Sequence, residues 1–239
     1  MDLDIKITLP PSDSGHRSSS SSTLDRIECN IRMGYKILVL MRGLPGSGKS
    51  TIAKNIVQRT VQGELSNHIL GTDDYWPIIN HGIYKHDRSK VLQARTYNEN
   101  RVLNAARQGW SPIIVDNTNI NARKMEKYAI MVVEHGYIIG SLEPNTTWSR
   151  NISQLFLKNR HNTSKEVIQI MMDRYEPEIS GKKLLQVLNS EYQPDQKPPQ
   201  FRNRPPLPSK FDDKSSEMST SKDTIESLDG GITSSSQGP

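Results

Sequence analysis

The chain has 239 residues, of which 33% are hydrophobic, a formal charge of +5 and one cysteine. That apolar share supports one good core but is low for a chain folded throughout, so part of the length is expected to be tail. The lone Cys29 excludes an intramolecular disulfide framework, no basic-then-apolar leader opens the sequence, and runs such as "ILVLM" (37–41) are too short to span a bilayer. A soluble protein of a reducing compartment, cytoplasmic or nuclear, is the expectation.

Residues 1–33, with their serine clusters, read as a mostly disordered N-terminal tail, 34–180 as one domain, and the Pro- and Ser-rich 181–239 as a mostly disordered C-terminal tail. By segment the charge is about −1, about +6 and about 0, so the basic excess belongs to the domain. It suits a phosphate-rich ligand, nucleotide or nucleic acid, or else a solvated surface with no partner.

Within the domain, "YKILVLMR" (35–42) predicts a buried strand, "GKSTIAKNIVQRT" (48–60) a helix, and "NHIL" (67–70) a second strand. A long helix follows over 88–109, then the strand "PIIVD" (112–116), a helix over 122–136, a strand over 137–143, and two closing helices over 147–160 and 164–176. This alternation predicts parallel strands joined by right-handed crossovers, helices on both faces, and a ligand site beyond the carboxyl ends of the strands.

"GLPGSGKS" (43–50) fits G-x-x-x-x-G-K-[ST] and lies between a predicted strand and a predicted helix. Glycines in such a loop let backbone N–H groups wrap a phosphate, and the helix that follows adds its positive dipole end. The nucleotide-binding set is therefore Gly43, Leu44, Pro45, Gly46, Ser47, Gly48, Lys49, Ser50 and Thr51, with Lys49 reaching the β- and γ-phosphates of ATP. Ser50 is the predicted Mg²⁺ ligand, joined by Asp116 at the end of the "PIIVD" strand, directly or through a water. An aspartate capping the next helix is the competing reading of Asp116.

"TDDYW" (72–76) follows the second strand, whose end also faces the nucleotide. A hydroxyl acceptor benefits from a carboxylate that orients it and takes its proton, and Asp73 is the candidate base. Neighbouring turn residues point in different directions, so Asp74 is expected to cap or pair locally.

The order "GLPGSGKST", "TDDY", "VDNTN", "EPNTTW" and "LKNRHNTSKEVIQIMMDRYEP" resembles the polynucleotide-kinase-like P-loop family, in its Nedd-four-binding-protein 2-like branch, over nearly all of residues 38–177. The resemblance implies an α/β P-loop NTPase three-layer sandwich with a central, mostly parallel four-stranded sheet and a helical lid. It further implies ATP and Mg²⁺ dependent phosphorylation of a polynucleotide 5′-hydroxyl, with Asp73 at the position of the family's general base.

Departures accompany the match. Phage-type members carry an arginine two residues after the second acid, where this chain has Trp76, which either stacks on a base or anchors the core. The lid's usual "RN-x-HG" becomes Lys158-Asn159-Arg160-His161-Asn162, leaving Arg160 as the candidate clamp and removing a glycine. A P-loop kinase of a small-molecule hydroxyl and an ATP-binding interaction module without turnover remain as alternatives. "RPPLPSK" (204–210) carries the P-x-x-P pattern by which a polyproline helix engages SH3-type partners.

Overall fold

The computed structural model describes residues 22–61 and 63–177, together with 179, 184, 200 and 202. The elements are helix α1 (Thr23–Arg32), strand β1 (Ile37–Met41), helix α2 (Lys49–Thr60), a single turn α3 (Leu65–His68), strand β2 (Ile69–Leu70) and a short helix α4 (Tyr75–Ile79). They continue as helix α5 (Val91–Arg107), strand β3 (Ile113–Val115), helix α6 (Ala122–Val133), strand β4 (Ile138–Leu142) and helices α7 (Ile152–Lys158) and α8 (Lys165–Asp173). The strands lie in the order β2-β3-β1-β4 and every pairing is parallel. The strand that feeds the glycine-rich loop is therefore internal, with β3 on one side and β4 on the other.

Alternation along β1 divides the core. Leu38 and Leu40 join Ile113, Val115, Val102, Met125 and Val132 beneath α5 and α6. Ile37, Val39 and Met41 face the other way, onto Ile27 and Ile31 of α1 and Ile56 and Val57 of α2. A strand covered on both faces has no solvated side to mark with polar residues, which is why "ILVLM" is an unbroken apolar run. Each such side chain, fully buried, contributes about 1.5–3 kcal/mol. Leu44, Ile120, Leu155 and Ile168 form a smaller cluster that docks the α7–α8 lid against the loop after β1. Among the described residues no helix is long and apolar enough to cross a membrane.

Three expectations are corrected. The domain begins before residue 34: Ser22 and Asp25 form a reciprocal capping box that starts α1, and Ile27 and Ile31 bury themselves on β1 and β4. The serine cluster conceals that amphipathic stretch. At the other end, Ile179 and Leu184 are buried in the α5–α6 core, and Gln200 and Arg202 exchange backbone hydrogen bonds with Lys36, Gly136 and Gly34, so the domain does not end at 180. "RPPLPSK" lies outside the described residues.

The third correction concerns "NHIL", whose first half is helical. His68 is buried there, its Nδ1–H donating to the Pro112 carbonyl at 2.7 Å while Nε2 has no partner among the described residues. Burial holds His68 below the usual histidine pKa, opposed by that bond and assisted by Arg202. The unfolded chain therefore takes up a proton near pH 6.5 before the folded chain does, and stability falls as pH drops below that value, by up to about 1.4 kcal/mol per pH unit. Chemical denaturation of wild type and His68→Asn between pH 5 and 7.5 should show this acid slope in wild type and its reduction in the variant.

Candidate active site

Three strand ends converge. After β1, residues 43–48 turn through positive φ at Gly43, Gly46 and Gly48 and deliver Lys49 into α2. Gly46 is constrained twice, by φ +77° and by the Leu155 carbonyl, which would lie 2.3 Å from any Cβ placed there. The lid thus rests directly on the loop, and Trp148 Nε1–H donates to the Gly46 carbonyl at 3.1 Å.

Lys49 is buried, its ammonium donating to the Leu44 carbonyl at 2.9 Å. Burial lowers its pKa, while the negative charges of Asp116 and then Asp73 push it back up. Asp116 shows the mirror effect: burial raises its pKa, Ser50 and Lys49 oppose this, and Asp73 and Asp74 add to it. Ser50 stands beside Asp116, whose Oδ1 is buried with no hydrogen-bond partner among the described residues. A hydroxyl and a carboxylate oxygen lacking a partner suit Mg²⁺, a hard ion that completes its octahedron with phosphate and water oxygens. Among the described residues no group of three or more His, Cys, Asp or Glu is placed to hold a metal ion. The helix that follows is capped by Asn121 and not by Asp116, which removes the capping reading.

Asp73 and Asp74 separate as expected of neighbours in a turn. Asp74 Oδ2 accepts from the Gly71 N–H at 3.0 Å, a local cap, and also pairs at 2.6 Å with Arg101 of α5, 27 residues further on and so not a local partner. Asp73 instead gathers three rings: Oδ1 accepts from Trp76 Nε1–H at 3.2 Å and the Tyr84 hydroxyl at 3.1 Å, and His161 Nε2 lies 3.4 Å from Oδ2. Its side chain keeps 48% exposure, so a substrate can reach it. Burial and the adjacent Asp73 charge push the Tyr84 phenol up, so it remains a donor. Trp76 is 1% exposed, with His86 and Tyr75 against its ring, and is a core anchor with no face left for a base.

The tract after Asp116 ties these pieces together. Asn117 Oδ1 accepts from the Thr72 N–H at 2.9 Å, the Thr118 carbonyl from the Gly43 N–H at 3.0 Å, and Asn119 Nδ2–H donates to the Met41 carbonyl at 2.7 Å. Arg42, only 1% exposed, donates to the carbonyls of Asn119 at 3.2 Å and Glu176 at 2.5 Å and pairs with Glu143. Sequence reasoning passed over Asn117, Asn119, Arg42 and Tyr84. The available signal was three amide or hydroxyl residues crowded at a strand end, where loose solvent exposure requires none of them.

On the lid, Lys158 sits 4.5 Å over the Trp148 ring and His161 reaches Asp73, while Arg160 is exposed with no ion pair or hydrogen bond among the described residues. The lost glycine costs little: Asn162 takes φ +51°, a left-handed conformation asparagine tolerates. Asn159 closes the loop, accepting from the Thr163 N–H at 2.9 Å. Beside Gly43, Leu44 and Ser47 opens a pocket of about 270 Å³ that Pro144, Arg150 and Tyr175 also line.

A family model described as an AAA domain matches residues 38–178. Human NEDD4-binding protein 2 is 39% identical over 144 residues, which is 60% of this chain and 8% of that protein. The 2',3'-cyclic-nucleotide 3'-phosphodiesterases of mouse and rat are each 27% identical, over 131 and 129 residues, covering 55% and 54% of this chain and 29% of theirs. The chain spans under a third of the length of each of these relatives. With the parallel sheet, the glycine loop and this match in hand, the chain belongs to the AAA domain family, in the P-loop kinase-like branch that it shares with NEDD4-binding protein 2.

Proposed function

We propose that this nucleotide-binding, kinase-like domain is an ATP-dependent phosphotransferase whose acceptor is the 5′-hydroxyl of an RNA or DNA strand. The observation that carries the proposal is Asp73, a half-exposed carboxylate whose charge is felt at Lys49 and Asp116. In this reading the acceptor oxygen bonds to the γ-phosphorus, the bond from that phosphorus to the β–γ bridging oxygen breaks, ADP leaves, and the hydroxyl proton passes to Asp73. Backbone N–H groups of the Gly46–Thr51 stretch cradle the phosphates, the Gly43 N–H being taken by the Thr118 carbonyl, and Lys49 stabilises charge on the transferring group. Ser50 and Asp116 are the residues that would hold Mg²⁺, which supplies neutralising charge on the phosphates. On the lid, Arg160 is an exposed cation with no ion pair or hydrogen bond among the described residues.

A polyanionic acceptor is favoured by a cationic patch. Helices α5 and α6 both start at the carboxyl end of the parallel sheet, and Lys127 pairs with Glu99 at 3.4 Å. One turn nearer the N-terminus of each helix stand Arg95 and Lys124, and the charge of Arg174, beyond α8, is felt at Lys124 as that of Arg95 is. Loss of hydration, then Arg95 and Arg174, lower the Lys124 pKa, and none of the three has an ion-pair partner among the described residues. Unpaired cations beside an active site bind phosphates by releasing counterions. A relative named for a cyclic-nucleotide substrate is consistent with a nucleotide-bearing acceptor.

The test is transfer of labelled γ-phosphate from ATP to 5′-hydroxyl oligonucleotides against a panel of small hydroxylated metabolites. Oligonucleotide labelling is expected. The combined variant Arg95→Gln, Lys124→Gln, Arg174→Gln should raise the oligonucleotide KM and flatten its dependence on salt. Labelling of a metabolite alone would move the assignment to a small-molecule kinase, and ATP binding with no labelling at all to an interaction module.

A further inference from the structure

The contacts of Asp73 are unevenly distributed between its oxygens. Oδ1 receives two donors from within the domain body, Trp76 Nε1–H and the Tyr84 hydroxyl. Both of those groups belong to chain segments that follow the carboxylate closely, and they fix its orientation. Among the described residues Oδ2 has one polar partner, His161 Nε2 at 3.4 Å, and His161 comes from the lid. The imidazole is steadied by the Tyr84 ring, with centroids 4.6 Å apart and planes tilted by 37°. Its loop is closed by Asn159, which bonds across to Thr163. A histidine held by one aromatic stack and one carboxylate, at 42% exposure, is docked but displaceable.

We infer that His161 is an acceptor-displaced plug: it occupies the free oxygen of Asp73 when no acceptor is bound and yields that oxygen to the incoming hydroxyl. The inference rests on Asp73 as the base of the proposed reaction. With Oδ1 saturated, Oδ2 is the atom on which an acceptor hydroxyl must be oriented, and the same atom would serve a water equally well. The wasteful step is explicit: a water oxygen bonds to the γ-phosphorus of ATP, the bond to the β–γ bridging oxygen breaks, ADP and phosphate leave, and the water proton goes to Asp73 and on to solvent. Occupying Oδ2 denies water that partner. A polynucleotide end, bound along its strand, has the binding energy to push the imidazole aside, whereas water has none.

Tyr84 becomes a positioning residue with two duties, since its hydroxyl holds Asp73 and its ring holds His161. Tyr84→Phe keeps the stack and loses the bond, which separates those duties.

Two measurements on the full chain test the inference. In histidine-selective NMR, the His161 signal, identified by its loss in His161→Ala, should show the ring-current shift of a stacked imidazole in the free protein. The shift should persist in Tyr84→Phe, vanish in Tyr84→Ala, and be released on adding a 5′-hydroxyl oligonucleotide with a non-hydrolysable ATP analogue. In the second measurement, His161→Ala should raise acceptor-free phosphate release by about fivefold or more and lower the oligonucleotide KM, and adding Asp73→Asn should cancel the increase. An unstacked His161 in the free protein, or acceptor-free hydrolysis unchanged in His161→Ala, overturns the plug. A fall in transfer kcat with unchanged hydrolysis also overturns it, by making His161 a ligand of the transition state. Failure of the kinase reading is registered separately, as wild-type protein that binds ATP but phosphorylates no oligonucleotide.

Discussion

Asp73→Asn lowers phosphoryl transfer to an oligonucleotide by about 10²–10⁴-fold while leaving ATP affinity within about threefold, the loss typical of removing a general base. The substitution is a clean one because an asparagine oxygen still accepts from Trp76 and Tyr84, so the turn around it is preserved. In the proposed reaction nucleotide affinity is set elsewhere, in the loop between β1 and α2. Isothermal titration with an ATP analogue alongside single-turnover transfer separates the two effects. Full transfer activity in the variant removes Asp73 from the chemistry, and an equal loss of binding and transfer makes it a structural residue.

Lys49→Met carries the second large effect, and it points two ways. Transfer should drop by about 10²-fold or more, because the ammonium is the charge positioned to meet the transferring group. Folding stability of the ligand-free protein should instead hold or rise, by up to about 2 kcal/mol, since a buried cation is replaced by an apolar chain of similar length. Burial is the first cause of the lowered Lys49 pKa, and the ammonium donates to the Leu44 carbonyl. A urea melt read beside the transfer assay decides the matter. A loss of more than about 1 kcal/mol would assign the ammonium to holding the loop together.

Much of this layout was legible before any coordinates. The loop from Gly43 to Ser50 announces itself because backbone N–H groups can converge on a phosphate only where side chains are absent at set intervals. The core strands were legible because two-sided burial demands unbroken apolar runs, and β1 and β3 supply them. The two-residue β2 was misread in length, since His68 places its Nδ1–H against the Pro112 carbonyl by tertiary contact and no periodicity reports that. Asp73 was singled out from its place at a strand end, but its partners Tyr84 and His161 lie 11 and 88 residues further on, and only folding brings them to it. Arg42 was hidden for a related reason: an arginine after five apolar residues reads as the solvated end of a strand, whereas Glu143, Asn119 and Glu176 surround it.

The helix that precedes the sheet has a practical corollary. Ile27 packs so near Gly140 that a methyl group there would sit 3.3 Å from its Cδ1, so that helix and the last strand are fitted to one another. A recombinant fragment trimmed to start at Gly34 would strip the cover from Ile37, Val39 and Ile138 and leave a greasy strip open to other molecules. Expression boundaries drawn from the nucleotide loop alone would yield precipitate, and the shortest useful clone retains Ser22.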